Sequence, residues 1–588
     1  MRGRRLGNVA FVWTLSLVSG LVGLLGTGMD AEAQMMQQYK EYDRYRYLPR
    51  LPQQSERPEP LPDTPREATG DTRELVSELK ALIFVDRPER VVPRSGEERG
   101  VLVESDYGLW LLQTPAFHEI AQNYLGGPVT QLRLNELVRD TILLYRQNNQ
   151  PVVDVSIPQQ EITRGVVQVV VTESRVGEVR VEGPCYFNPC VLARQLCISP
   201  GDPIYESVLI EEQRWLFRNP YRRVDVELMP GDVRGTTDVV FNVQDRRPVR
   251  WYAGYEDTGT RFTGLERTFY GVNWMNALWR DDQAGYQYTA SSDFDSMTAH
   301  SAYYSTALLN RDIITVYGCY AESQAVVPDF PSDNNGVAWQ ILARWYRELV
   351  PCGAYEHGVT AGFDLKSQDS NLEFGGIAVF DTRAYIAQFM LGYNGRATDR
   401  LGSWNFALDT YLSPGHLVGH NDNVTYQQIR AYAEANYVYV RGFAERRFWL
   451  PQCFEVVGRV TGQVSEANLL SFEQLGFGGY NSIRGYDMYS DVTDSGYFVN
   501  LELWSPSYTL GLRDDELRLL AFFDFGNGYN HTLLPGEPDR IDLSSVGAGL
   551  RYVARPNAEL RVDYGWQLGD EYLLMDRHRV HIGAVLSY

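Results

Sequence analysis

The last ten residues, RVHIGAVLSY, alternate without a break. Val580, Ile582, Ala584, Leu586 and Tyr588 fall on one face of an extended chain, and Arg579, His581, Gly583 and Ser587 on the other. Two upstream segments repeat the pattern. Leu560, Val562, Tyr564, Trp566 and Leu568 oppose Glu559, Arg561, Asp563 and Gln567; Leu517, Leu519, Ala521, Phe523 and Phe525 oppose Arg518, Asp524 and Gly526. A soluble sandwich also alternates, but it hides its apolar face against a second sheet. Strands of about ten residues whose apolar faces end in Tyr, Trp or Phe, and whose other faces are charged, fit a closed barrel with lipid outside and water inside.

The same alternation begins near Val249 and gives about sixteen strands between turn signals. They start near Trp251, Thr268, Gly285, Ala299, Ile313, Val337, His357, Arg383, Ser403, Tyr426, Phe454, Tyr497, Leu517, Ser544, Glu559 and Arg579. An even count returns the chain to the side on which it began. Short connections such as Asn310-Arg311-Asp312 then belong to the periplasmic side, with Tyr588 at that interface. Longer ones, 326–335 and 468–495, belong to the extracellular side. Composition agrees: 38 Tyr, 12 Trp and 52 Gly suit β structure, and a net charge of −21 argues against an electrostatic nucleic-acid binder.

The N-terminus is an export address. Arg2, Arg4 and Arg5 precede an apolar stretch, Val9 to Leu25, and Ala31-Glu32-Ala33 offers a cleavage site. An uncleaved anchor is the competing reading. We expect a signal peptide over residues 1–33 and a Pro-rich periplasmic tether over 34–78, too polar to bury a core. Residues 79–175 and 176–247 read as two mixed α/β modules. In the first, a helix around Leu132–Leu144 precedes strands Val152–Ile157 and Val166–Glu173; strand Val176–Val181, helix Val208–Phe217 and a strand–turn–strand make the second. The barrel occupies 248–588. Six cysteines are too few for a disulfide scaffold. Cys185 and Cys190 could close a small loop, with Cys197 left over; spacing alone leaves both states open.

Several segments carry a family resemblance. LLYRQNNQPVVDVSIPQQEITRGVVQVVVTESRVGEV, with Pro158-x-Gln160 and Gly165-Val-Val, resembles a first POTRA domain. VELMPGDVRGTTDVVFNVQDRRPVRWYAGYEDTGTRFTG, with Pro230-Gly231 and Asp257-Thr258-Gly259-Thr260, resembles the end of a second POTRA domain running into a first barrel strand. SIRGYD resembles a loop signature, and FFDFGNG an F-x-D-x-G strand signature. In this order and spacing, the chain resembles the two-partner secretion transporters of the hemolysin secretion/activation (TpsB) type. The fold so implied is two periplasmic α+β POTRA-like domains followed by a transmembrane antiparallel β-barrel of about 16 strands in the outer membrane. The family usually carries an N-terminal plug helix; Met35–Tyr47 is a polar candidate. Pro93–Pro115 looks like an insertion in the first POTRA domain.

The resemblance also implies a site. The loop arginine, Arg484 of Ile483-Arg484-Gly485-Tyr486, folds into the lumen and meets the strand aspartate, Asp524 of Phe522-x-Asp524-x-Gly526. Gly485 would permit a close backbone approach and Tyr486 would pack alongside. Leu586 and Tyr588 would form the C-terminal signal read by the barrel assembly machinery. Implied partners are a secreted exoprotein with an N-terminal secretion domain and outer-membrane lipid, with no nucleic acid and no cofactor. Catalysis is not expected. The eight histidines show no H-E-x-x-H and no zinc spacing, and His416 and His420 sit in a glycine-flanked loop. Gly476-Phe477-Gly478-Gly479 lacks the helix and Lys-Ser/Thr of a phosphate loop, and no G-x-S-x-G elbow exists. Two other readings stay open on sequence: an assembly factor that inserts client barrels, and a porin or adhesin.

Overall fold

The computed structural model describes residues 70–588, apart from 107, 261–262, 327–331, 375–376, 512–514, 536, 556 and 570–576. The export signal, the Met35–Tyr47 segment and most of the tether lie outside these residues. The chain divides into two compact units, one ending at Arg247 and one running from Pro248 to Tyr588.

The N-terminal unit contains one topology twice. Each copy runs strand, two helices, strand, strand, with the first and last strands parallel and the middle strand antiparallel to the last. In the first copy these are Ala81–Val85, Pro115–Gln122, Gln131–Gln147, Val153–Ser156 and Val166–Glu173. Leu137, Leu144 and Tyr145 pack the long helix onto the sheet, and Phe84 meets Phe117 edge-on at 4.8 Å. The Pro158-x-Gln160 pattern has a local cause: the Gln160 amide donates to Gln168 O (2.6 Å) and accepts from Gln168 N (2.8 Å), continuing the ladder where strand Val153–Ser156 ends. Residues 93–115 are built into the fold. Gly100–Glu104 adds a fourth, parallel strand beside Ala81–Val85, and Leu111 and Leu112 enter the core.

The second copy comprises Arg175–Glu182, Pro189–Ala193, Glu206–Phe217, Arg222–Pro230 and Thr236–Asp245. Here the candidate disulfide is not formed: Cys185 and Cys190 are both exposed, unbonded thiols. Their loop is shaped by other means. The Asp245 carboxylate accepts from the backbone N–H groups of Cys185, Tyr186 and Phe187, and the Asn188 side chain caps the next helix by accepting from Cys190 N at 2.9 Å.

The second unit is a closed barrel of sixteen strands, each paired antiparallel with its neighbours. They are β1 (Val249–Glu256), β2 (Arg267–Trp274), β3 (Gln283–Ser291), β4 (Met297–Ala307), β5 (Ile313–Val326), β6 (Ser332–Glu348), β7 (Tyr355–Phe374), β8 (Ile377–Asp399), β9 (Gly402–Pro414), β10 (Asn436–Trp449), β11 (Glu455–Ser465), β12 (Ser495–Trp504), β13 (Asp515–Tyr529), β14 (Ile541–Ala554), β15 (Ala558–Gln567) and β16 (His578–Ser587). Closure leaves no sheet edge, which backbone in hydrocarbon requires. Trp251 and Tyr588 exchange both backbone hydrogen bonds, at 3.0 and 2.8 Å, where β16 closes on β1. Alternation separates the faces: Leu519, Phe523, Tyr564, Val580 and Leu586 are exposed outside, while Asp524, Asp563 and His581 are buried inside.

Two expectations change. No strand begins near Tyr426. Asn423–Ile429 is a short helix, capped by the Asp422 carboxylate on Thr425 N (2.9 Å), and β10 starts at Asn436. Tyr426 and Ile429 are buried three residues apart, a helical spacing that strand counting misses. The connection expected over 326–335 is shorter, because Asn334 and Asn335 pair with Ala325 and Gln324.

Candidate functional site

Segment 466–494, between β11 and β12, turns inward. Its small hairpin, Leu475–Phe477 with Asp491–Thr493, precedes and follows the loop signature. Phe477, Ile483, Tyr486, Phe498 and Leu543 form a buried apolar cluster that seats the loop against β12 and β14. Two glycines on the wall make room. A Cβ on Gly526 would fall 2.4 Å from Ile483 Cδ1, and one on Gly565 would fall 2.5 Å from Gly485 N. Gly485 itself has φ +94°, a left-handed conformation that glycine adopts without cost.

Arg484 is thereby delivered to Asp524. Nε and Nη2 donate to the two carboxylate oxygens, each at 2.8 Å, and the Arg484 backbone N–H donates to Oδ2 at 3.0 Å. This is the bidentate geometry that a planar guanidinium permits and an ammonium does not. Nη1 donates to Glu502 Oε1 at 2.8 Å and lies 3.7 Å from Asp563 Oδ1. The guanidinium also stacks 3.6 Å from the centre of the Phe522 ring. The strand signature therefore has a physical reading. Residues 522, 524 and 526 share the lumen face of β13 and respectively support the cation, grip it, and leave space for the loop beside it.

Residues outside the two signatures complete the clasp. Asn500 Nδ2 donates to Asp524 Oδ1 at 2.8 Å and also to Ser482 O. Gly485 N donates to His581 Nε2 at 3.2 Å, which places the ring proton on Nδ1, 3.6 Å from Asp257 Oδ2. Gln567 Nε2 donates to Gly485 O at 2.7 Å, and Tyr486 OH to Ser544 O at 3.1 Å. The surplus negative charge is balanced from the wall: Arg459 pairs with Glu502 (2.9 Å) and Arg551 with Asp563 (2.9 Å). Burial of Arg484, Asp524, Glu502 and Asp563 is nearly complete, so an unbalanced member would be costly. Alternation in YFVNLELW already puts Asn500 and Glu502 on one face with Phe498, a usable signal. Gln567 and His581 were placed on the lumen face by alternation too, but nothing in one sequence connects them to a loop about a hundred residues upstream.

The opposite side of the lumen is built differently. Glu473, from the same inward segment, pairs with Lys366 on β7 and accepts from Gln388 Nε2 of β8 (3.0 Å) and the Tyr439 hydroxyl of β10. Around it, Ala467, Leu469, Leu470 and Phe472 pack with Tyr426 and Ile429 of the short helix against wall residues of β4–β10. The water-filled interior expected from alternation is therefore not the whole lumen: this half carries a buried apolar and tyrosine-rich surface.

The model of the haemolysin secretion/activation protein ShlB/FhaC/HecB family matches residues 235–552, more than half of the chain, and that of the ShlB-type POTRA domain matches residues 107–174. The chain belongs to this family. It is accordingly a two-partner secretion transporter, with its barrel in the outer membrane and its POTRA domains in the periplasm. Among curated relatives, the heme/hemopexin transporter protein HuxB of Haemophilus influenzae is 22% identical over 496 residues, covering 81% of this chain and 84% of HuxB. Among solved structures, CdiB from Escherichia coli superposes with a TM-score of 0.68 at 16% identity, covering 95% of this chain and 98% of that one. CdiB from Acinetobacter baumannii gives 0.58 at 16% identity with the same coverage. BamA from Haemophilus ducreyi lacking POTRA domains 1–3 gives 0.50 at 12% identity, covering 82% and 98%. These structural likenesses establish the fold of a POTRA-bearing barrel; the ShlB-type family match places the chain with the exporters.

Proposed function

We propose that the POTRA pair captures a still-unfolded exoprotein in the periplasm and that the barrel conducts it outward without ATP, with the Arg484 clasp fixing the state of the pore. The single observation that carries this reading is the inward loop, held by a buried bidentate pair between Arg484 and Asp524 and seated on five wall strands, β12 to β16. Capture by backbone pairing suits the N-terminal unit, because its four-stranded and three-stranded sheets end in strands with one side unpaired along most of their length among the described residues. An extended chain can add there with little sequence demand. Folding outside the cell would supply direction. Outer-membrane lipid faces the exposed apolar wall, and exposed Leu586 and Tyr588 at the closing strand offer a terminal signal to the barrel assembly machinery.

Replacing Arg484 by Ala tests the clasp. It strands Asp524 and part of the Glu502 and Asp563 charge in a buried site, a loss of about 3–5 kcal/mol locally. Secretion of the partner should stop while heat-modifiable barrel remains in the outer membrane. Normal secretion by Arg484→Ala would overturn the proposal.

A further inference from the structure

Segment 415–435, between β9 and β10, also lies inside the barrel. Tyr385, on β8, donates its backbone N–H to His420 O (3.2 Å), and its carbonyl accepts from the Tyr426 hydroxyl (2.8 Å) and from Asn421 Nδ2 (3.1 Å). Tyr426, Ile429, Ala433 and Ala435 are buried in the apolar cluster formed with the lumen wall and with residues 467–472 of the inward loop. A seven-residue helix is too short to persist alone, so this packing is what holds it.

One carboxylate ties the arrangement together. Asp494, fully buried at the start of β12, receives Arg430 bidentately (2.6 and 3.0 Å). It also accepts from Leu469 N (2.9 Å) and Gln474 Nε2 (3.2 Å) of the inward loop, and from His531 N (3.1 Å) in the connection after β13. Arg430 in turn donates to Leu469 O at 2.6 Å. Three connections that would otherwise move separately meet at this group, and one of them carries Arg484 only ten residues before it.

We propose that segment 415–435 is an internal plug of the barrel, latched to the inward loop at Asp494, and that it leaves the lumen together with that loop when a chain passes. Arg430 is the positioning residue of the latch. The inference deepens the transport reading given above and rests on it. Its logic is packing: the helix covers apolar wall that water would otherwise wet, and removing Arg430 leaves Asp494 short of its only cationic partner among the described residues.

The test is the conductance of full-length protein in planar bilayers without any secreted partner. Arg430→Ala and Tyr426→Ala should both show open-channel events where the unaltered protein is closed, whereas Leu417→Ala, an exposed site in the same segment, should match the unaltered protein. Labelling gives an independent reading if Arg430→Ala assembles poorly. In a background whose exposed cysteines are serine, Ile429→Cys should resist a membrane-impermeant maleimide at rest and react during secretion. Unaltered conductance in both variants, or labelling of Ile429→Cys at rest, would overturn the plug. The clasp would survive that outcome provided that Arg484→Ala still abolished secretion, so the two proposals fail separately.

Discussion

The inward loop is held on its two sides by different physics. Toward β12–β16 it is gripped by charge: one cation, three carboxylates and two compensating arginines in a nearly dry site. Toward β4–β10 it is held by apolar contact, through Leu469, Leu470 and Phe472 against tyrosines and alanines of the wall, together with two separate buried ion pairs, Lys366–Glu473 and Arg430–Asp494. Ionic clasps depend steeply on geometry and fail abruptly when one partner is lost, whereas apolar contact fails in proportion to the area removed. A loop held by both is released only when the clasp and the apolar contact are broken together.

That contrast can be broken in graded ways. Removing the carboxylate should have the largest effect. Asp524→Ala leaves Arg484 and Asn500 without their shared acceptor, at a local cost of about 3–5 kcal/mol, and secretion assays should show loss of export with lowered thermal resistance of the folded barrel on gels. Gly565→Val comes next, because its side chain would occupy the Gly485 backbone; export should fall strongly while the barrel still folds, read from the same two assays. On the apolar side, Tyr439→Phe deletes one donor to Glu473 and costs about 1 kcal/mol, visible as a small drop in barrel melting temperature with export retained. Smallest is a control at the turn before β5. Asp312 is held down to about 2, first by its hydrogen bond from Arg347 and then by Trp345 and Asn310. A depressed carboxyl stabilises fully above its unfolded value of about 3.9 and loses that contribution as pH falls toward 2. Asp312→Asn should therefore lower the melting temperature at pH 7 and match the unaltered protein near pH 2, with no change in export.

The same contrast explains what could be read in advance. Alternation over residues 517–526 and 559–568 assigns lumen and lipid faces because a barrel strand has one period and two solvents. The charged clasp was half legible, since Arg484 and Asp524 lie in short signatures, yet Glu502, Asp563 and Asn500 join only through cross-strand neighbours that a single sequence does not pair. The apolar side was nearly invisible. Tyr426 read as the start of a strand because a short capped helix between two strands imitates their spacing of aromatics. Its partners on β4–β8 lie tens of residues away, joined by closure of the barrel alone. The segment 93–115, which looked like a bare insertion, proved to hold a sheet strand because GVLVE is too short to declare a period.

A reversible cross-link between loop and wall tests whether the inward loop must leave its seat for export. In a background with the exposed cysteines changed to serine, Ile483→Cys with Gly526→Cys places thiols where the Ile483 side chain now touches the wall. The bond should form in the resting transporter, export should stop while it is intact, and adding reductant should restore export. Export at the unaltered rate with the cross-link fully formed would contradict that requirement.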